Sequence, residues 1–302
     1  MFVGAVVVAI MRIFGLVAEM EIAAHLIVDI ETDGVFYIKQ LGLCRFGKET
    51  KMTKMIMHGC NGRMGKVIID LVKEDNDIEV VAGVDAYGDN NYDFPVYRSL
   101  DECTTDADVI VDFSNASAAE GLLNYCTAKN VPVVLCSTGL SEEQLKMVKE
   151  ASSKVAVLKS ANMSVGVNAL IKVLKEVSPM FAAAGFDIEI VEKHHNQKLD
   201  SPSGTAIALA DSINESLNNE MDYVYDRSTR REKRPQKEIG ISAVRGGTIV
   251  GDHDVIFAGK DEVVQITHRA YSRAIFAKGA LSAAKFLKGK TSGLYNMSDV
   301  IG

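Results

Sequence analysis

The sequence predicts an α/β protein: a Rossmann-type, doubly wound parallel sheet followed by a smaller, strand-rich α+β domain. Three observations carry this. Short apolar runs alternate with helix-period segments through residues 54–159, which calls for a parallel sheet covered on both faces. A glycine-rich loop separates the first run from the first helix. Beyond Asn162 the alternation stops and extended segments dominate.

The elements follow in order. Residues 54–58 read as a short buried strand ending at Gly59. Residues 66–74 read as a helix whose Val67, Leu71 and Val72 form a core face. Residues 78–84 are the next strand, closed by Asp85. Strands at 109–113, 131–136 and 155–159 alternate with helices at 117–129 and 141–152, joined by right-handed crossovers. The spacing then predicts a long helix at 166–184, a strand at 187–192, a polar stretch to Ser203 and a helix at 205–217. Residues 218–238 are polar and read as a long loop. Strands are expected at 241–244, 248–257 and 263–270, and a helix at 274–288 that returns to the first domain.

A chain of 302 residues can hold two domains. A formal net charge of -7 argues against a general nucleic-acid binder. Five cysteines, an odd number with no C-x-x-C spacing, argue against a disulfide framework or a zinc site. A reducing compartment, the cytoplasm, and no metal are therefore expected. Residues 1–51 are expected to be a non-functional extension ahead of Met52 and Met55. Its apolar start, interrupted by Arg12, makes a poor signal peptide and a marginal membrane span; a membrane anchor is the minor alternative.

The loop Gly59, Cys60, Asn61, Gly62, Arg63, Met64, Gly65 has the form G-x-x-G-x-x-G between a strand and a helix. Glycines let the turn close and the backbone approach a pyrophosphate, and the helix N-terminus supplies N–H donors. Asp85, twenty residues after Gly65, can accept hydrogen bonds from a ribose diol. The alternative is a turn that packs for its own sake. A carboxylate at that position repels a 2′-phosphate, and Ala86 and Tyr87 follow it where an arginine would suit NADPH. NADH is therefore favoured over NADPH, with use of both as the alternative, since Arg63 could reach a phosphate. Ser137, Thr138 and Gly139, with Ser160, Ala161, Asn162 and Met163, stand where parallel strands end and could line the nicotinamide or simply form loops and caps.

The segment from Glu192 to Thr205 is the densest in chemistry. It holds His194, His195 and Lys198, then Pro202, Ser203, Gly204 and Thr205 before a helix. The turn makes an anion site able to hold a carboxylate, Lys198 is a cationic donor, and a histidine titrates near neutral pH. The plainer reading is a polar surface loop ahead of a capped helix.

The pattern E-x-H-H-x-x-K-x-D-x-P-S-G-T-A resembles the signature of the 4-hydroxy-tetrahydrodipicolinate reductase family. The likeness spans about residues 54–301. It includes the glycine loop, Val111 to Ser114, Asn162 to Asn168, Arg245 to Gly247, Gly251 to His253, Ile266 to Arg269, Ser272 and Arg273, and Gly293 to Tyr295. The resemblance implies NAD(P)H-dependent reduction of a cyclic dicarboxylate to tetrahydrodipicolinate in lysine and diaminopimelate biosynthesis. It implies His194 as proton donor or acceptor and Lys198 as proton donor. His195, Ser203, Gly204 and Thr205 would bind substrate. Residues 59–64, Asp85, 137–139 and 160–163 would line the cofactor. It further implies a dinucleotide-binding domain at 52–163 and 273–302, and a substrate-binding and oligomerisation domain at 164–272. A homotetramer is expected, with neither nucleic acid nor membrane as partner.

The missing arginine after Asp85 puts NADPH preference in doubt. The basic stretch 227–237 is expected to be solvated. A different two-domain dehydrogenase, or a silent NAD-binding scaffold, are the competing readings; the scaffold predicts loss of His194 or Lys198, and both are present.

Overall fold

In the computed structural model, residues 52–87, 92–160 and 162–302 are described, together with the backbone of two short antiparallel strands, β1 (Asp29–Ile30) and β2 (Phe36–Tyr37). The expected extension at 1–51 therefore lies almost wholly outside the described residues, as does Ala161. No described helix is long and apolar enough to cross a membrane.

Residues 50–302 form one unit built on two sheets. The larger has seven strands: β3 (Thr53–His58), β4 (Ile78–Val84), β5 (Val96–Tyr97), β6 (Val109–Asp112), β7 (Val133–Leu135), β8 (Ala156–Leu158) and β14 (Gly293–Tyr295). Their order is β14-β8-β7-β6-β3-β4-β5, with every pairing parallel. Parallel strands need crossovers, and α1 (Arg63–Val72), α2 (Ala119–Lys129) and α3 (Glu142–Ser152) provide them. Alternation along β3 explains the layering. Met55 and Met57 face a core shared with Ile68 of α1, while Ile56 faces one shared with Leu122 of α2. All four residues of β6 are buried, as expected of a strand covered on both sides.

The chain leaves this sheet through α4 (Val165–Ala183), capped by Ser164, and builds the second sheet. Its strands are β9 (Asp187–His194), β10 (Asp222–Val224), β11 (Glu238–Arg245), β12 (Gly251–Ala258) and β13 (Val263–Ala270), in the order β10-β11-β9-β12-β13. One face packs on α4 and α5 (Gly204–Ser216) through Ile188, Ile190, Phe257, Leu174 and Leu209. The chain then returns. Helix α6 (Ala274–Leu287) buries Ala277, Ala280, Ala284 and Leu287 against the seven-stranded sheet, β14 pairs with β8, and α7 (Met297–Ile301) closes the chain.

Three local expectations need correcting. Helix α1 starts at Arg63, three residues earlier than its periodicity indicates, because Gly62 is already the N-cap. The stretch 218–238 contains β10, too short to show a period. The basic stretch is not merely solvated. Arg227 binds Glu189 through both guanidinium nitrogens at 2.8 and 2.9 Å, Arg234 reaches Asp187 at 2.7 Å, and Arg230 and Arg227 converge on Glu238. These contacts cross from the loop to the strands, so no local sequence pattern reveals them.

Candidate active site

The glycine loop is shaped by close backbone approach. Gly59 sits at φ +83°, and a Cβ there would lie 2.8 Å from the Phe113 carbonyl oxygen. At Gly65 a Cβ would collide with the carbonyls of Gly59 and Cys60. Glycine alone permits this packing of helix on loop. A cleft of about 980 Å³ opens here, lined by Gly59, Asn61, Gly62 and Asp85. The Asp85 carboxylate accepts the backbone N–H of Asn61 at 2.9 Å and of Tyr87 at 3.0 Å, so loop and strand end are tied together. The donor set suits a dinucleotide: N–H groups at a helix start and a carboxylate at the end of the next strand.

Not every residue of the loop faces this cleft. Cys60 is fully buried and its thiol is pushed up to about 11 by burial and by Asp85, leaving only its backbone for a ligand. Met64 packs on the core, and Arg63 is exposed and does not line the cleft. Beneath the loop, buried Asp112 accepts from Ser137 Oγ at 2.6 Å and Ser114 Oγ at 2.6 Å, and bonds His58 Nδ1 at 2.8 Å. Although burial raises its pKa, the His58 partnership and the two hydroxyls hold it below the usual carboxylate value. Ser137 is thus a strut between strand ends. Thr138 and Gly139 are exposed, Ser160 is half-buried, and Met163 lies in the core.

The segment from Glu192 to Thr205 is organised by Glu192. Period-two geometry places Glu192 and His194 on one face of β9. Register brings Arg245 of β11 opposite His194, and His253 of β12 opposite Glu192. The Glu192 carboxylate accepts both Arg245 terminal nitrogens at 2.7 Å, the Ser203 N–H at 2.9 Å, and contacts His194 Nδ1 at 2.6 Å. Burial alone would raise its pKa, but Arg245, His194 and the Ser203 N–H outweigh it and hold it low. An ionised Glu192 requires the proton of neutral His194 on Nδ1, which leaves Nε2 as the basic atom. Burial lowers the His194 pKa, Lys198 and Arg245 add to this, and Glu192 opposes it.

The rest of the segment follows from the same anchor. Arg245 also donates to the Asp200 carbonyl at 2.7 Å, fixing the turn that carries Lys198. Lys198 Nζ rests 2.8 Å from Asp200 Oδ1. Ser203, only 1 % exposed, caps α5 by accepting the Ala206 N–H at 3.1 Å and contacts His253 Nε2 at 3.0 Å. Its side chain is therefore structural, while Gly204 and Thr205 open the helix toward solvent. His195, just past the strand, is half-buried. Burial, and then the charge of His194, pushes His253 down to about 4.

One bond joins the two groups of residues. Asn162, beyond the end of β8, donates from Nδ2 to Thr205 Oγ1 at 2.9 Å. Thus the end of the parallel sheet and the N-terminus of α5 adjoin. Glu192, Arg245, His253, His58 and Asp112 carry no assigned role in the sequence reading. The E-x-H spacing was the one available signal, since alternate strand residues share a face. Among the described residues there is no His, Cys, Asp and Glu cluster able to hold a metal ion.

Residues 53–163 match the family described as dihydrodipicolinate reductase, N-terminus, and residues 166–301 match dihydrodipicolinate reductase, C-terminus. A 4-hydroxy-tetrahydrodipicolinate reductase of Caldanaerobacter subterraneus subsp. tengcongensis is 54% identical over 252 residues, covering 83% of this chain and 98% of the relative. One from Clostridium tetani is 51% identical over 246 residues, covering 82% and 96%. Among solved structures, the dipicolinate-bound dihydrodipicolinate reductase from Paenisporosarcina sp. TG-14 superposes with a TM-score of 0.68 at 24% identity, covering 82% of this chain and 99% of that one. That likeness concerns the fold. With both halves of the chain matched and close relatives spanned almost end to end, the chain belongs to the dihydrodipicolinate reductase family, the 4-hydroxy-tetrahydrodipicolinate reductases of lysine and diaminopimelate biosynthesis.

Proposed function

We propose that this chain reduces 4-hydroxy-tetrahydrodipicolinate to tetrahydrodipicolinate with the residues gathered around Glu192, using NADH in preference to NADPH. The observation that carries the assignment of roles is the Asn162–Thr205 bond, which sets the α5 N-terminus beside the end of the parallel sheet. A bound nicotinamide would supply the hydride. His194 acts through Nε2 as proton donor or acceptor, its ring held by Glu192. The 4-hydroxyl leaves the substrate as water, giving a conjugated imine; one hydride then enters the ring and Lys198 delivers the balancing proton, so that negative charge does not accumulate on the ring. Gly204 and Thr205 bind a substrate carboxylate at the helix N-terminus, with His195 alongside, and Ser203 keeps that turn in place. Gly59, Cys60, Asn61, Gly62, Asp85, Thr138, Gly139, Ser160 and Asn162 form the cofactor wall, Cys60 through its backbone alone, while Met64, Ser137 and Met163 support it from the core and Arg63 stands outside the cleft.

Asp85 supports the preference for NADH, because a carboxylate beside the ribose repels a 2′-phosphate. We set the domain division at residues 163/164 and 272/273, a reading supported by the separation of the strands into two sheets. We assign the chain to the cytoplasm as a homotetramer; the exposed Val244 and Val263 on the second sheet support association there. The full chain, mixed with NADH and the freshly made product of dihydrodipicolinate synthase, should oxidise NADH in proportion to added substrate. Absence of turnover, or full turnover by Lys198→Ala, would refute the assignment.

A further inference from the structure

Gly251 opens β12 and is buried beside His194. Antiparallel register sets Asp252 opposite Lys193 and His253 opposite Glu192, which brings Gly251 level with His194. On the other side of β9 the neighbour of His194 is Arg245. The imidazole thus has a guanidinium on one flank and no side chain on the other. Gly251 is extended strand without the positive φ that obliges a glycine, and a glycine weakens a strand. Backbone conformation therefore does not account for this residue.

The space around it does. A Cβ at Gly251 would stand 3.0 Å from His194 Nε2, 3.3 Å from Cδ2 and 3.8 Å from Cε1, and these are its three nearest atoms. The first distance is inside the roughly 3.5–4.0 Å at which nonbonded heavy atoms attract. The unequal distances to the two carbons put the methyl off the nitrogen's own axis, so it would tilt the ring rather than cap the nitrogen. The ring cannot retreat freely. Its Nδ1 is held 2.6 Å from Glu192, and that carboxylate is fixed by Arg245 and by the Ser203 N–H. The ring of His253 lies edge-on with its centroid 5.1 Å away. The titratable and charged groups about the ring are Glu192, Lys198, Arg245 and His253.

We infer that Gly251 is a positioning residue for the reduction: by presenting no side chain, it lets the His194 ring keep the tilt at which Nε2 meets the substrate while Nδ1 stays on Glu192. This rests on the reading that His194 acts through Nε2. Gly251 touches no reacting atom itself and acts only through the imidazole.

Steady-state kinetics of the full chain, NADH binding and thermal unfolding together test this. Gly251→Ala should lower kcat by about tenfold or more, because small misplacements of an aligned group cost rate steeply. NADH affinity should stay within about twofold of wild type, since the methyl meets only His194. The acidic limb of the pH–rate profile should move downward, because a weaker hold by Glu192 and added burial both disfavour the imidazolium. In a His194→Ala background the ring is gone, and the same substitution should change the residual kcat by less than about twofold. Equal loss in both backgrounds, or loss in neither, would overturn the positioning role, as would an unmoved acidic limb. If Gly251→Ala does not fold, the double variant decides: a Tm restored to that of His194→Ala supports the collision, and a Tm still lowered overturns it. Wild-type kcat in His194→Ala alone would remove the reading of His194, and the role of Gly251 with it.

Discussion

Glu192 and Arg245 meet across neighbouring strands as a two-point ion pair, 2.7 Å on each arm, with the carboxylate fully buried. The same carboxylate holds the imidazole of His194 and the N–H of Ser203. One side chain thus fixes the proposed acid–base group, the turn carrying Lys198, and the start of the carboxylate-binding helix. Removing one member of a buried pair strands the other, which costs far more than the pair itself contributes. Glu192→Gln should destabilise the fold by about 3 kcal/mol in denaturant titrations. It should lower kcat/KM by about 100-fold or more. The acidic limb of the pH–rate profile should also shift downward, because Glu192 is the group that raises the His194 pKa. A profile left in place would show that His194 does not titrate in the reaction.

Lys198 separates chemistry from folding. Its partner Asp200 is largely exposed, and such pairs contribute less than about 1 kcal/mol. Lys198→Met should therefore leave Tm nearly unchanged while kcat falls by about 100-fold or more. NADH affinity should stay at the wild-type value, since Lys198 belongs to the substrate side. A parallel loss of NADH binding would place Lys198 in the cofactor site instead.

The glycine loop makes a steric prediction. In Gly65→Ala the new methyl would press on the backbone carbonyls of Gly59 and Cys60, neither of which can rotate away. Helix α1 must shift, which costs about 1–3 kcal/mol. Loss of NADH binding should exceed what the lowered Tm explains at the assay temperature. An unaltered Kd would mean that the loop does not touch the pyrophosphate.

His253 predicts the pH dependence of stability. Its folded pKa, about 4, lies below the ordinary 6.5 because burial and the charge of His194 disfavour the imidazolium. Between these values the unfolded chain binds the proton and the folded chain does not. This group's contribution is therefore complete above pH 6.5, and it is lost progressively as pH falls toward 4. The total is about 3 kcal/mol at a cost of 1.36 kcal/mol per pH unit. Urea titrations at pH 7 and pH 5 should show a smaller difference for His253→Gln than for wild type. The same difference in both would show that His253 does not carry the effect.

The sequence by itself determined what depends on neighbours along the chain. The apolar runs, the glycine loop with Asp85, and the cluster from His194 to Thr205 were legible because helix and strand periods, turn closure and helix capping are local. Strand 263–270 and helix 274–287 fall close to their expected bounds for the same reason. Only the tertiary structure decided the register of strands distant in sequence. That register sets Arg245 beside His194 and His253 beside Glu192. It also decided which side chains of a motif turn inward, as Cys60 and Met163 do. Such partnerships arise when backbone pairing and core burial bring remote segments together, and no spacing along one segment records them.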